Sequence, residues 1–246
     1  MLNLFTSTLA SSTRLWRGTS SSKSTVQPLL PLVLYDREAC PRCRLVREAL
    51  TELNLDVEIR PCPIDGQRFL QETPKGRLPF LVDPNTEKKL SRTGQIMDYL
   101  FGQYADRKPP SKFNPGLLNL AGSSLASSLR LNAGSRKVPS RIPEKPLKLY
   151  SFESSPYSRL VREQLSELEL PYLLINLGKQ QWADMGPASF RMSIRPYKPL
   201  PGTKRSLFFE EHGDVQVPYL EDPNTDTALF ESRAIVKYLQ RTYQAQ

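Results

Sequence analysis

The strongest constraint on the fold is an internal repeat. The segment LYDREACPRCRLVREAL at 34–50 recurs as LYSFESSPYSRLVREQL at 149–165, with ten of seventeen positions identical. A second pair of segments, LPFLVDPNTEKKLSRTGQIMDYL at 78–100 and VPYLEDPNTDTALFESRAIVKYL at 217–239, is offset by 139 residues instead of 115, so the second copy has 24 extra residues. The repeat predicts two related domains within 246 residues, each able to bury a small core.

Each copy shows the order strand, helix, strand, loop, strand, strand, helix. Short apolar runs predict the first three strands of copy one, at 32–35, 57–60 and 79–82. An Asp-Pro-Asn-Thr turn then predicts a hairpin, and apolar residues at helical spacing mark the closing helix: Ile96, Met97, Leu100 and Tyr104. This order predicts an α/β protein of two tandem thioredoxin-like domains (βαβ-ββα), each with a four-stranded mixed sheet.

The repeat also suggests the domain boundaries. We predict an N-terminal helical or irregular segment at 1–27, a first domain at 28–104, a basic linker at 105–146, and a second domain at 147–243 with a basic, proline-rich insertion at about 178–212. The insertion is expected to be a long irregular loop.

The N-terminal segment is serine-rich and free of acidic residues, a composition that would suit an organellar transit peptide. However, residues 2–15 resemble residues 118–131, and a cleavable address has no reason to recur in mid-chain. We therefore expect residues 1–24 to belong to the repeated unit, as a short helix packing on its own domain.

Composition limits the classes of function. No apolar run approaches the roughly 18 residues that a membrane span needs. Three cysteines indicate a reducing compartment, so we predict a cytoplasmic protein, or a stromal one if the source is a plant or alga. With one histidine, His212, no metal site is predicted.

The net charge of +9 is concentrated in two segments. Residues 105–148 hold nine basic and two acidic residues, and residues 178–207 hold six and one. These segments are either solvated loops or docking surfaces for an acidic protein partner or a larger assembly. No nucleic-acid-binding module is present, so no nucleic acid is expected as a partner.

The Cys-Pro-Arg-Cys motif is the most specific chemical signal. It stands between a predicted strand and a helix, where free N–H groups and the helix dipole favour a thiolate. We predict Cys40 as the nucleophile and Cys43 as the resolving thiol. Three nearby arginines are expected to lower the thiol pKa further: Arg37, Arg42 and Arg44. The alternatives are two ordinary core cysteines or half of a zinc site, the latter disfavoured without a second pair. Cys62 has no partner in the sequence and is expected to be a semi-buried thiol.

A proline precedes the third strand of each copy, at Leu78-Pro79 and Val217-Pro218. In a thioredoxin-like fold such a proline is typically cis, and the residue before it offers its backbone to a peptide-like ligand. An ordinary strand-entry proline is the alternative, but both copies place it at the same point.

These motifs resemble a known family. The C-P-x-C motif, the strand-entry proline and the segment FESRAIVKYL are similar to the glutathione S-transferase N-terminal domain and its glutaredoxin relatives. The tandem arrangement resembles tandem glutathione S-transferase N-terminal-domain proteins of cyanobacteria and plant plastids, over roughly residues 30–104 and 146–243.

The resemblance implies a glutathione site in the second copy. Glu231 and Ser232 would hold the γ-glutamyl end of glutathione, and Ser155 could activate its thiol. Copy one has Arg92 and Thr93 at the Glu-Ser positions. The arginine should repel the substrate ammonium, whereas Thr93 can still donate to a carboxylate. No all-helical transferase C-terminal domain is recognised in the sequence, which disfavours conventional transferase activity.

Two functions follow. The first is a glutathione-linked thiol-disulfide oxidoreductase or redox-responsive protein, with glutathione or a protein disulfide as partner. Domain one would be redox-active, and domain two would bind glutathione or a partner. The second is a non-catalytic protein that docks on a larger complex through its thioredoxin-like domains and basic linkers. Enzymatic activity is therefore left open, and a glutaredoxin-like oxidoreductase is the expected class if there is any.

Overall fold

The computed structural model describes residues 2–22, 25–188, 190–192 and 196–245. Its helices and strands follow in chain order: α1 Leu2–Thr13, β1 Leu32–Asp36, α2 Pro41–Glu52, β2 Val57–Pro61, β3 Phe80–Asp83, β4 Lys88–Leu90, α3 Thr93–Ala105, α4 Leu117–Ser128, β5 Leu147–Ser151, α5 Pro156–Glu167, β6 Tyr172–Asn176, α6 Lys204–His212, β7 Tyr219–Asp222, β8 Thr227–Phe230 and α7 Ser232–Tyr243.

Each copy folds as the repeat predicts. β1 pairs parallel with β2 and antiparallel with β3, which pairs antiparallel with β4. Strands β5 to β8 repeat this pattern, with Tyr35 opposite Phe80 in the first copy and Tyr150 opposite Tyr219 in the second. The predicted fold class, two thioredoxin-like units of the α/β type, is confirmed.

The two four-stranded sheets join at their edges. β2 pairs antiparallel with β6, with Val57 opposite Leu174 and Ile59 opposite Tyr172. The result is one eight-stranded mixed sheet in the order β4-β3-β1-β2-β6-β5-β7-β8. The main hydrophobic core contains residues from both copies. Pairing at this edge also satisfies the free backbone groups that two separate sheets would expose.

The repeated helices α1 and α4 are exchanged between the copies. Ser7 Oγ donates to the carbonyl of Pro156 at 2.8 Å, so α1 packs on α5 of the second copy. Ser123 Oγ donates to the carbonyl of Pro41 at 3.0 Å, so α4 packs on α2 of the first. The prediction of a helix at each site agrees with the structure, but the prediction that each helix packs on its own domain is wrong.

The insertion is only partly irregular. Residues 204–212 form α6, which corrects the prediction of a loop throughout 178–212. Thr203 caps this helix by accepting a hydrogen bond from the N–H of Ser206 at 3.1 Å. Phe208 then packs against the ring of Tyr150, with ring centroids 5.1 Å apart. The prolines that suggested a loop all precede the helix, so they do not interrupt it.

Charged side chains fill the interface between the copies. Arg47 contacts Asp36 at 2.7 Å and Glu153 at 2.9 Å. Arg162 contacts Glu38 and Glu153, each at 3.1 Å. We call these five buried side chains the charge ring. Two of its ion pairs, Arg47–Glu153 and Arg162–Glu38, cross from one copy to the other, and breaking them would leave buried charges without partners.

Two glycines let the exchanged segments approach this ring. Gly18 has φ +76° and Gly134 has φ +80°, a backbone conformation that side chains rarely adopt. A Cβ atom at Gly18 would lie 2.7 Å from Cβ of Glu153, and one at Gly134 would lie 2.9 Å from Cβ of Glu38. Both positions therefore require glycine.

Candidate functional site

The dithiol stands where α2 begins. Cys40 is the residue before the helix, and its N–H donates to the carbonyl of Arg37 at 2.9 Å. Cys40 is partly exposed, whereas Cys43 is fully buried. One thiol is thus available to a substrate and the other lies beneath it.

The environment separates the two thiols chemically. A hydrogen bond from Cys43 is the largest influence on Cys40; together with the backbone N–H groups of Cys43 and Arg42, it lowers the pKa of Cys40 to about 6, although burial opposes this. Burial, followed by its contact with Cys40, raises the pKa of Cys43 well above the ordinary value. Cys40 is therefore suited to attack and Cys43 to act second, as the predicted roles require.

The arginines contribute less than the sequence suggested. The Arg37 side chain donates to the carbonyl of Cys62 at 2.8 Å, and Arg44 donates to Ser127 Oγ at 2.9 Å. The Arg42 side chain is exposed. The first turn of α2 and the Cys43 thiol, and not nearby guanidinium groups, account for the lowered pKa of Cys40.

Cys62 is fully buried, not semi-buried as predicted. It packs in an apolar cluster with Tyr35 and Phe80, and partly buried Leu78 packs against the same cluster. Burial is the main cause that raises the pKa of Cys62 to about 12. Burial and the raised pKa both disfavour a reactive thiolate at Cys62.

Strand register gives the position of Pro79 in copy one. Tyr35, near the end of β1, lies opposite Phe80, so Pro79 stands at the end of the sheet where α2 begins. The Leu78–Pro79 and Val217–Pro218 bonds are both cis, as expected. Thr93 is the first residue of α3 and is buried.

The second copy has a cavity at the equivalent place. Its volume is about 740 Å³. All five residues predicted for a ligand site in this copy line it: Ser155, Val217, Pro218, Glu231 and Ser232. The structure thus brings these residues together around one space large enough for a tripeptide-sized ligand.

Glu231 has an unusual backbone conformation. Its φ of +68° and ψ of 116° lie outside the regions that non-glycine residues prefer, and such strain is often found at functional sites. Its carboxylate accepts a hydrogen bond from Gln216 Nε2 at 2.5 Å. The equivalent Arg92 has a relaxed φ of −104°. The backbone is therefore strained at Glu231 in the second copy and relaxed at Arg92 in the first.

Ser155 caps α5 and is nearly fully buried. Its Oγ accepts hydrogen bonds from the N–H of Ser158 at 3.2 Å and from Ser158 Oγ at 3.0 Å. This oxygen replaces the Cys40 sulfur at the helix start. It can donate its own proton into the cavity, but it cannot form a disulfide.

Sequence reasoning did not find a cationic wall of the cavity, formed by Lys179, Arg191 and Arg205. Arg191 is paired with Asp214, and Arg205 with Asp184, which also lines the cavity. Lys179 is 8% exposed and donates to the carbonyl of Gly186 at 2.6 Å. Burial, and then the positive charge of Arg205, lower the pKa of Lys179 to about 8. The signal was the basic insertion, for which the sequence left open a solvated loop or a docking surface for an external partner.

A second missed wall comes from the N-terminal segment. Thr8, Leu15, Trp16 and Thr19 line the cavity because α1 packs on the second copy. The indole of Trp16 stays 44% exposed and gives this side of the cavity an apolar surface. The sequence could not reveal this wall while α1 was expected to pack on the first domain.

Comparison with known proteins identifies the family. The family model described as "Glutathione S-transferase, N-terminal domain" matches residues 34–109 and again residues 149–246. The chain therefore belongs to the family of proteins with this domain, and carries it twice. Membership in a cyanobacterial or plastid type stays a prediction.

One curated relative is a glutathione S-transferase-like protein, gedE, of Aspergillus terreus. It is 34% identical over 79 residues, which cover 31% of this chain and 34% of the relative. The match thus spans about a third of the relative's length. No solved structure matches the chain.

Two features are absent from the residues that the structure describes. None of their helices combines the length and apolar character needed to cross a membrane. Within the same residues, no group of three or more His, Cys, Asp or Glu side chains is placed to hold a metal ion.

Proposed function

We propose that the protein is a glutathione-linked thiol-disulfide oxidoreductase in which the two copies divide the work. Family membership supports a function related to glutathione or to thiol redox chemistry. The observation that carries the proposal is the asymmetric dithiol at the start of α2: an accessible Cys40 with a lowered pKa above a buried Cys43.

In the proposed reaction the Cys40 thiolate attacks one sulfur of a substrate disulfide. A mixed disulfide forms, and the other substrate sulfur leaves as a thiolate that takes up a proton. Cys43 then loses its proton and attacks the Cys40 sulfur, which releases the second substrate thiol and leaves a Cys40–Cys43 disulfide. Two molecules of glutathione reduce this disulfide and become glutathione disulfide.

The second copy would bind glutathione through complementary charge. Glutathione carries an ammonium group and two carboxylates at neutral pH. The Glu231 carboxylate would form an ion pair with the ammonium group, and Lys179 on the cationic wall would form one with a carboxylate. The Val217 backbone would form hydrogen bonds with the peptide groups of glutathione. Copy one has Arg92 in place of the glutamate, which disfavours the same contact there.

The docking alternative has less support, because many charges in the basic segments are paired within the chain. Lys112 contacts Glu52 at 2.9 Å and Lys204 contacts Asp56 at 2.6 Å. Arg130 is buried in a pair with Glu163. Charges already engaged inside the fold offer less to an acidic partner.

The test is turnover of the full-length protein with a small disulfide, with glutathione as reductant and glutathione disulfide formation as the readout. We expect Cys40→Ser to abolish turnover. Cys62→Ala is the control, since this buried thiol has no role in the scheme, and it should retain activity. Wild-type turnover no higher than that of Cys40→Ser would contradict the proposal.

A further inference from the structure

Two buried arginines have no carboxylate partner. Arg44 in α2 and Arg159 in α5 stand at equivalent positions, 115 residues apart. Each side chain is about 2% exposed. Within the described part of the chain, neither forms a salt bridge, although Arg47 and Arg162, one turn further along the same helices, both do.

Their hydrogen bonds go to neutral groups. Arg44 Nη2 donates to Ser127 Oγ at 2.9 Å, and Arg159 Nη1 donates to the carbonyl of Ser7 at 2.5 Å. Three other buried nitrogens have no acceptor among the described residues: Nε and Nη1 of Arg44, and Nε of Arg159. A buried guanidinium with free donors is costly unless a water molecule or an ion accepts from it.

The two guanidinium groups share one region of the interior. Burial, followed by the positive charge of Arg44, lowers the pKa of Arg159 to about 9. The carboxylates of Glu38 and Glu153 also interact electrostatically with both arginines. Arg44 reaches α4 and Arg159 reaches α1, and these two helices pack against each other.

The charges of this region do not balance. Apart from the pairs Arg14–Glu48 and Arg130–Glu163, each of which balances, the buried set contains four arginines and three carboxylates: Arg44, Arg47, Arg159, Arg162, Asp36, Glu38 and Glu153. With every group ionised, one positive charge is left over. Water could accept the free N–H donors, but it would not neutralise that charge.

We infer that Arg44 and Arg159 form a buried binding site for one small monovalent anion, for which chloride is the expected occupant, beneath the exchanged helices α1 and α4. A halide accepts several N–H donors at once without directional demands, and its single charge matches the excess. A bound anion would join α2 and α5 at the point where the helices from the opposite copies cover them.

The first test is thermal unfolding of the full-length protein in sodium chloride against sodium gluconate at equal ionic strength. We expect the midpoint to rise by roughly 3 to 5 °C at ten times the dissociation constant, and to keep rising with the logarithm of the chloride concentration above that point. Identical midpoints in the two salts would overturn the proposal and leave water as the acceptor.

A variant and its control localise the effect. Arg44→Met keeps a side chain of similar length without charge or donors, so it should abolish the chloride dependence. Arg42→Met, at an exposed position in the same helix, should retain it. If Arg44→Met does not fold, a bromide-soaked wild-type crystal decides: an anomalous peak between Arg44 and Arg159 supports the site, and its absence refutes it.

Discussion

Glu153→Gln should destabilise the whole protein, because the buried Glu153 carboxylate contacts both arginines of the charge ring. Despite complete burial, the positive charges of Arg162 and Arg47 lower the pKa of Glu153 from the ordinary 4.5 to about 2. A tenfold change in a protonation equilibrium corresponds to about 1.4 kcal/mol, so this interaction contributes ~3 kcal/mol to folding at neutral pH. Losing one partner of a buried pair costs a similar amount.

The dependence on pH has a definite sign. Since the folded state lowers the pKa of Glu153, its contribution is complete above about pH 5 and is lost as the pH falls towards 2. Asp36 has the opposite effect on the pH dependence of stability, because burial raises the pKa of its carboxyl. The difference between wild type and Glu153→Gln therefore isolates the Glu153 contribution, and this difference should shrink in acid.

The assay is urea unfolding of the full-length chain at pH 7 and at pH 3. The matched control is Glu221→Gln, which removes the partner of Lys148 in a largely exposed pair at 3.1 Å and should cost less than ~1 kcal/mol. A Glu153→Gln effect no larger than that of Glu221→Gln would refute the reasoning. Because one sheet and one core span both copies, wild type should unfold in a single transition.

Three further predictions concern the site and the fold. Cys43→Ala removes the main hydrogen bond to Cys40 and should raise its pKa from about 6 by roughly one, measured by the pH dependence of alkylation; unchanged labelling would contradict this. Asp222→Asn should lose ~1–3 kcal/mol in urea unfolding, since its carboxylate accepts from the hydroxyls of the partly buried Tyr238 and the buried Tyr243; full stability would contradict this. Gly18→Ala should cost more than Gly213→Ala, which shares a φ of +76° but has open space around it; equal costs would rule out the steric contact.

Much of the fold could be predicted because strands and helices follow local patterns. Sequence patterns placed the strands and helices that the two copies share, whereas α6 in the insertion was missed. The repeat could not show which copy each exchanged helix covers, because α1 and α4 have similar sequences and either docking would bury similar surfaces. The positive-φ residues Gly18 and Gly134, 116 residues apart, repeat the offset of these helices and were an unused signal.

The site was predicted where it depends on the repeat and missed where it does not. Ser155 and Glu231 could be found by matching positions between copies. Lys179 lies where the copies differ in length, so no equivalent position pointed to it. The charge ring did leave a signal: Glu38 and Arg47 recur as Glu153 and Arg162, among the ten identical positions. A charged residue that only faces solvent can be replaced by another polar residue. Identical charged residues in two diverged copies therefore indicate a specific buried contact.

The division of function between the copies is tested most directly by calorimetric titration of the full-length protein with reduced glutathione. We predict one molecule bound per chain. Glu231→Ala should weaken binding by about 10- to 100-fold through loss of the ammonium contact, whereas Arg92→Ala, at the equivalent position in copy one, should leave the dissociation constant unchanged. Equal affinity in Glu231→Ala and wild type, or no binding by wild type, would contradict the account.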